Sequence, residues 1–351
     1  MFGFGSKSIV GLDVGSSSIK AVELKKKGGQ IEVAHLGIEA LAPDIVVDSM
    51  IVDSGTVSSA ISKLFAENQI KTKAVATAVS GHSVIVKKIS LPSMSDQELA
   101  DTIQKEAAHH IPFDLADVNL DYQILSEDVS SPQMDVLLVA VKKDKILNYT
   151  NVLSMAGKTP AIVDIDALAL QNCYEFNYEP APTQVVALLN LGASVMNINI
   201  VRGGTSLFTR DIPIGGNRYT EAIQREIGMS YEEAEETKKG ARSAGNNQAA
   251  VTTVVDSVNA EVASEIARTI DYFKSTMPDA DVQQVLLCGG GAQVKGLVPQ
   301  LKDRMQAVVE VANPFGEIDT SGTGFDQGTL AELAPLAAVG VGLALRSVGD
   351  R

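Results

Sequence analysis

The pattern of apolar and polar positions opens with a run that breaks at small residues and then alternates. Ile9 to Leu24 reads IVGLDVGSSSIKAVEL, with Ile19, Ala21 and Glu23 at every second position after Gly15-Ser16-Ser17-Ser18. A two-residue period belongs to a strand with one face buried, so this segment predicts a β-hairpin closed by a Gly-Ser turn. Gln30 to Ile38 predicts a third strand. Asp53 to Asn68 predicts a helix with Val57, Ile61 and Leu64 on one face, and Ala74 to Ser80 a return to strand.

A compact β-α-β-β-α stretch follows: Val84 to Ile89, a helix over Asp96 to Ala108, strands near Leu120 to Leu125 and Met134 to Val141, and a helix over Asp144 to Ala156. It predicts a small inserted module at about residues 83–160. Ala161 to Ile165 predicts a strand leading into the helix Ala167 to Phe176, and Tyr178-Glu179-Pro180-Ala181-Pro182 breaks the chain. A first lobe over residues 1–182 is therefore expected.

Beyond the break the opening pattern returns as VVALLNLGASVMNINIVRGG, from Val185 to Gly204. Both copies have the form apolar-x-[Asp/Asn]-x-Gly-[Ser/Ala]-Ser, and the polar positions Asp13 and Asn190 lie 177 residues apart. Such self-similarity at half the chain length predicts two lobes of one topology, each opened by a hairpin. The second lobe, residues 183–333, continues through an outer helical region at about 212–275, with helices over Arg218 to Arg242 and Val255 to Ser275. Val282 to Cys288 predicts a short buried strand, Gly289-Gly290-Gly291 a turn into a helix near Val294 and Gly296, and Asn313 to Gly328 an irregular surface loop.

Composition agrees with this division. A chain of 351 residues exceeds what one core usually supports, and 45% apolar with 21% charged residues is a globular balance. The net charge of −14, with no basic block longer than Lys25-Lys26-Lys27, argues against a broad nucleic-acid or anionic-lipid surface. Cys173 and Cys288 sit far apart in apolar runs, without metal or redox spacing, and read as reduced core residues. Met1 to Ser8 holds no apolar stretch of signal-peptide length, and Ala334 to Leu345 falls short of the roughly 20 residues that cross a bilayer. A cytoplasmic protein is expected, one that reaches a membrane only through a partner and does not insert itself.

Three small-residue turns carry the candidate chemistry. Gripping a polyphosphate requires backbone N–H groups that converge, and only small side chains let the chain come that close. Gly15 to Ser18 meet this need, Asp13 is placed to hold Mg²⁺ through water, and Lys20 to neutralise phosphate charge. Gly192-Ala193-Ser194 offers matching amides from the second copy. Gly289-Gly290-Gly291, ending a strand before a helix, lets the backbone pass close to a nucleotide. Read singly, each is also compatible with an ordinary turn; their pairing favours a ligand. His109-His110 lacks ligand spacing, and Ser80-Gly81-His82-Ser83 lacks a nucleophile's partners, so neither metal nor hydrolase chemistry is assigned there.

These residues resemble the actin-like ATPase superfamily, whose members include actin, sugar kinases, heat-shock chaperones and the division protein FtsA. Ile9 to Leu24 is similar to its first phosphate loop, Leu188 to Ser194 to its second, and Leu286 to Leu297 to its adenosine motif; Asp164 to Leu170 and Ala334 to Leu343 are similar to its connecting helices. Within the superfamily the chain resembles the PilM family of type IV pilus assembly proteins. That likeness rests on Lys105-Glu106, Ile111-Pro112-Phe113-Asp114-Leu115, Asp121-Tyr122, Asn313-Pro314-Phe315 and the ending Val341 to Arg346.

The resemblance implies an α/β fold of two actin-like, ribonuclease H-like lobes around a nucleotide cleft. It also implies an FtsA/PilM-type inserted subdomain in the first lobe and a C-terminal helix, within residues 334–351, returning to that lobe. It implies ATP and Mg²⁺, with Asp13 in the metal shell and Gly15 to Ser18 with Lys20 on the β- and γ-phosphates. Gly192, Ala193 and Ser194 would hold phosphates from the second lobe, Gly215 and Gly216 would line the opposite rim, and Glu235 and Lys238 would flank the nucleoside. Gly289 to Gly291 would contact the adenosine. Asn190 stands where the superfamily usually has aspartate, so nucleotide binding is expected rather than efficient turnover, and no catalytic residue is assigned. The implied partner is a PilN-like inner-membrane protein, held by its cytoplasmic N-terminal peptide between first lobe and inserted module, with pilus motor ATPases as further contacts. An FtsA-like polymerising or membrane-tethering protein is the alternative.

Overall fold

The computed structural model describes residues 8–126 and 132–349, so the readings of Met1 to Lys7 and of the last two residues lie outside the described residues. The chain opens with β1 (Val10–Val14), β2 (Ser18–Lys27) and β3 (Gln30–Ala40), a short hairpin β4 (Val46–Val47) and β5 (Met50–Ile51), helix α1 (Ser54–Glu67) and β6 (Ala74–Val79). Asp53 caps α1 by accepting from the Thr56 amide, and Val57, Ile61 and Leu64 are buried on its inner face. Next come β7 (Val84–Pro92), α2 (Asp96–His110), β8 (Val118–Ser126) and β9 (Gln133–Lys142). These form a three-stranded sheet ordered β7-β9-β8, covered by α2 through Leu99, Ile103 and Ala107 around a core of its own. Helix α3 (Lys143–Met155), β10 (Thr159–Ile165) and α4 (Asp166–Tyr178) return the chain to the first sheet.

The second half contains β11 (Val185–Leu191), β12 (Met196–Arg202), β13 (Thr205–Ile212), α5 (Asn217–Ile227), α6 (Tyr231–Lys238), α7 (Gln248–Thr276), β14 (Gln284–Cys288), α8 (Leu297–Arg304) and β15 (Val308–Val311). A short strand, β16 (Ile318–Asp319), and a long helix, α9 (Gln327–Ala344), close the chain. The first sheet runs β10-β6-β1-β2-β3-β16 and the second β13-β12-β11-β14-β15. Reversing the second order superposes it on the first, β16 aside, with antiparallel and parallel pairings in the same places. The repeat in the sequence is thus a repeat of topology.

Helices α4 and α9 lie between the two sheets. Val22 and Leu36 from the first sheet and Val186, Leu188 and Leu286 from the second converge on Leu170, Ala337 and Val341 of these helices. Each of the valine and leucine side chains contributes on the order of 1.5–3 kcal/mol by leaving water. The two helices touch at backbone distance: a Cβ on Gly342 would strike the Ala169 carbonyl, and one on Gly11 of β1 would strike the Gly340 carbonyl of α9. Cys173 and Cys288, both free and buried, belong to this shared core. Helix α9 has the length and mean hydropathy of a membrane span, yet Pro335 and Ala337 to Ala344 are buried inside the fold.

Several elements differ from the sequence expectation. The stretch after Gly203-Gly204 is a further strand, β13, whose mixed polar side chains suit an edge and hide its period. The expected loop at 313–328 includes β16, which pairs with β3. Helix α9 begins at Gln327, capped by Asp326, because its first turns are polar and only the later ones bury an apolar run. Helix α7 likewise begins at Gln248, before the apolar positions that signalled it.

Candidate functional site: a cleft between paired turns

The two hairpin turns are built alike. In the first, the Gly15 amide donates to the Ser18 carbonyl at 3.1 Å; in the second, the Gly192 amide donates to the Val195 carbonyl at 3.0 Å. The residues flanking each turn face one another across the strands: Asp13 opposite Lys20, and Asn190 opposite Asn197. Lys20 Nζ lies 3.1 Å from the Asp13 carboxylate, whereas Asn190 Nδ2 donates to Asn197 Oδ1 at 3.0 Å. One copy therefore has an ion pair where the other has an amide pair.

Both turns border a single cavity of about 90 Å³ between the lobes. Its walls bring together Asp13, Gly15 to Ser18, Lys20, Asn190, Gly192, Gly289 and Gly290 from the sequence-derived set. A Cβ on Gly289, which has φ +81°, would meet the Leu191 carbonyl and Asn190 Oδ1, so the strand end is pinned against the second turn. Gly290 is exposed, with nothing within 4 Å of an added Cβ. Gly291 is buried against the Leu191 side chain instead.

Ala193, Ser194, Gly215, Gly216, Glu235 and Lys238 do not line this cavity; they stand behind the second turn. The Gly216 and Asn217 amides each donate at 2.8 Å, to the Gly192 and Ala193 carbonyls, and Asn217 Nδ2 donates to Ser194 Oγ at 3.2 Å. A Cβ on Gly215 would press on these same carbonyls. Lys238 Nζ donates to the Gly216 carbonyl at 3.2 Å and pairs with Glu235 at 2.6 Å. Burial lowers the Lys238 ammonium, partly offset by Glu235. Burial pushes Glu235 up, but Lys238, Thr220 and Lys239 outweigh it and hold the carboxyl below its ordinary value. This group braces the turn from the second lobe.

Sequence reasoning missed Asp166, Ser80 and Asn197 in the cavity wall, and Asp211 beside it. Asp166 starts α4 with its carboxyl pushed up to about 7, first by burial and then by the negative charge of Asp13, against a hydrogen bond from Ser80. Asp211 accepts from Asn197 Nδ2 at 2.8 Å and, across the lobes, from the Gly81 amide at 2.6 Å. Lys145, buried, donates to the Ser49 carbonyl. Burial lowers its ammonium to about 8 despite Asp166, Asp211 and Asp144. Asn197 was detectable, since it stands 177 residues after Lys20.

Among the described residues no cluster of three or more His, Cys, Asp or Glu forms a metal site. The oxygen donors at hand, the Asp13 and Asp166 carboxylates and the serine hydroxyls of the turn, suit a hard cation that keeps much of its water and takes further oxygens from phosphates.

A second concavity lies at the far end of α4 and α9. This groove of about 970 Å³ runs between β8, an edge of the three-stranded sheet, and β10, an edge of the first sheet. Gly204 and the start of β13 at Thr205 and Ser206, from the second lobe, complete its wall. Asp164 faces it and is paired with Arg346 at 2.5 Å; burial raises the Asp164 carboxyl, and Arg346 opposes that shift. Asn172 also lines the groove, and its Nδ2 is the buried side-chain nitrogen without a hydrogen-bond partner among the described residues.

Two matching lobes, a pair of glycine-containing turns facing one cleft and two helices shared between the sheets define an actin-like protein. Its residues 11–348 match the family model described as type IV pilus assembly protein PilM, and the chain belongs to that family. A solved PilM–PilN type IV pilus biogenesis complex is similar at 26% identity and a TM-score of 0.86, over 97% of this chain and 99% of that one. The ethanolamine utilization protein EutJ from Carboxydothermus hydrogenoformans shares the fold at 16% identity and a TM-score of 0.59, over 97% and 90%. A ROK family glucokinase from Streptomyces griseus, solved with glucose and AMPPNP, shares it at 13% identity and a TM-score of 0.51, over 96% and 98%.

Proposed function

We propose that this protein is an ATP-binding adaptor of type IV pilus assembly, with Mg-ATP in the cleft and the cytoplasmic N-terminal tail of a PilN-like inner-membrane protein in the groove. The observation that carries the nucleotide reading is the cavity walled by both turns and by Gly289-Gly290. Its size suits phosphates and a hydrated ion. Ribose and base would lie outward along Gly290, with the Glu235–Lys238 pair holding the second turn in place. Asp13 would carry the ion's water shell and Lys20 would turn from Asp13 to phosphate. With an amide at Asn190 in place of a carboxylate, binding is favoured over rapid turnover.

The likeness to the PilM–PilN complex supports the partner, and the groove has the features a peptide strand uses. Two sheet edges offer backbone donors and acceptors to an extended segment, and Asn172 Nδ2 offers one more donor. Attachment to the membrane would then run through that partner, in the cytoplasm, and contact with the pilus motor would follow from the same assembly.

Two results are expected. Asp13→Ala lowers Mg-ATP affinity about tenfold or more by titration calorimetry, since a charge-assisted contact contributes roughly 1.5–3 kcal/mol; unchanged affinity would remove Asp13 from the site. Ala161→Trp fills the groove from an exposed position on β10 and reduces binding of a fluorescent PilN-tail peptide at least about tenfold, with the melting temperature unmoved. Full peptide affinity in that variant would place the peptide elsewhere.

A further inference from the structure

The β4–β5 hairpin covers one end of the cleft. Its loop is the two residues Asp48 and Ser49, between the paired Val47 and Met50, and both have positive φ, 48° and 59°. This is the pattern of a type I′ turn, whose second loop position favours glycine because a side chain there crowds the backbone. The chain places a serine there instead. Ser49 is buried, yet it lines the cavity between the paired turns, with Ser80, Tyr149 and Asp166.

Helix α3 holds the hairpin in place. The Tyr149 hydroxyl donates to the Ser49 carbonyl at 3.1 Å, and Lys145 Nζ donates to the same oxygen. Two residues on, Asn148 Oδ1 accepts from the Ile51 amide at 3.0 Å and its Nδ2 donates to the Ile51 carbonyl at 2.9 Å. The Ser49 backbone is thereby fixed, while its hydroxyl has no hydrogen-bond partner among the described residues. Gly81, itself at φ +89°, leaves that oxygen uncovered, since a Cβ there would stand 3.3 Å from it.

Exposure differs between the two ends of the cavity. Gly290 is exposed and marks the open end, whereas Ser49, Ser80 and Tyr149 are buried and mark the closed one. A nucleotide lying with its nucleoside along Gly290 brings its last phosphate to the closed end. Lys145 adds a positive charge there, and the carboxylates facing the same space, Asp13 and Asp166, fall to the cation. We infer that Ser49 is the contact that distinguishes ATP from ADP: its hydroxyl donates to the terminal phosphate of ATP, and the shorter ADP leaves it unpartnered. A donor aimed at one acceptor discriminates against the analogue that lacks it. This rests on the proposed function, since it takes the cleft's ligand to be an adenine nucleotide.

The test is calorimetric titration of Mg-ATP and of Mg-ADP into the full chain, as wild type and as Ser49→Gly. Glycine suits the positive φ, so this variant removes the hydroxyl without straining the turn. Wild type should bind Mg-ATP more tightly than Mg-ADP. Ser49→Gly should lose about tenfold in Mg-ATP affinity and keep its Mg-ADP affinity. Asn148→Ala, which loosens the hairpin from outside the cavity, should narrow the same ratio through Mg-ATP alone. Unchanged affinity for both nucleotides in Ser49→Gly, or an equal loss for both, would overturn the assignment. Failure of wild type to bind either nucleotide would overturn the proposed function instead.

Discussion

Gly290→Val is expected to fold normally and to lose most of its affinity for Mg-ATP, roughly ten- to a hundredfold, whereas Gly291→Val should instead lose stability. The two glycines adjoin in sequence but face different surroundings. A Cβ at Gly290 meets nothing within 4 Å, so a branched side chain there occupies only the space assigned to the nucleotide. At Gly291 the Leu191 side chain and backbone already fill the space, and crowding a packed site costs about 1–3 kcal/mol. The same range, turned against a ligand, gives the tenfold to hundredfold loss, at about 1.4 kcal/mol per factor of ten. Thermal melts and ATP titrations on both variants check this. Full ATP affinity in a folded Gly290→Val protein would remove the glycine run from the site.

Asp166→Asn is expected to make the protein more stable above neutral pH. The Asp166 carboxyl is raised from an ordinary value of 3.8 to about 7, by burial first and by Asp13 second. Between those values the folded chain holds a proton that the unfolded chain has lost, so stability falls as pH rises through the window. At about 1.4 kcal/mol per unit, discounted for the solvent that reaches the cavity, the loss by pH 8 is roughly 2–4 kcal/mol. The neutral amide removes it. Denaturant titrations should show the variant more stable at pH 8, more stable by roughly a third to a half of that margin at pH 5, and nearly equal to wild type at about pH 3. Destabilisation at both pH 8 and pH 5 would mean that the charged carboxylate is held by Lys145 rather than opposed by Asp13. A divalent cation beside Asp166 would favour the ionised form, so Mg²⁺ uptake near pH 7 should release protons.

Much of the fold could be read in the sequence because it is written as periodicity. The two hairpins appear as alternation around Gly15 and Gly192, and the inserted module as its own strand and helix periods. The glycines of the cleft could be read for a related reason: a missing Cβ at a strand end marks a close approach. What escaped depends on contacts between segments far apart in the chain. Asp211 is an ordinary polar residue on β13, and only folding brings it 2.6 Å from the Gly81 amide, 130 residues away. The resemblance implied a groove between first lobe and inserted module, but the residues that line it escaped for the same reason, since its walls come from β8, β10, α4, the β12–β13 turn and the end of α9. Glu235 and Lys238 show the opposite case. Their i,i+3 spacing is visible, but that the pair braces a turn carbonyl could not be read from it.

On the proposed function the paired turns hold a nucleotide. Calorimetric titration of Mg-ATP into wild-type protein freed of nucleotide, run alongside a titration with the magnesium chelated, decides this. Saturable binding at one site per chain, weakened without the metal, is the predicted result. No saturable binding in either titration, from protein that melts as a folded unit, would contradict it.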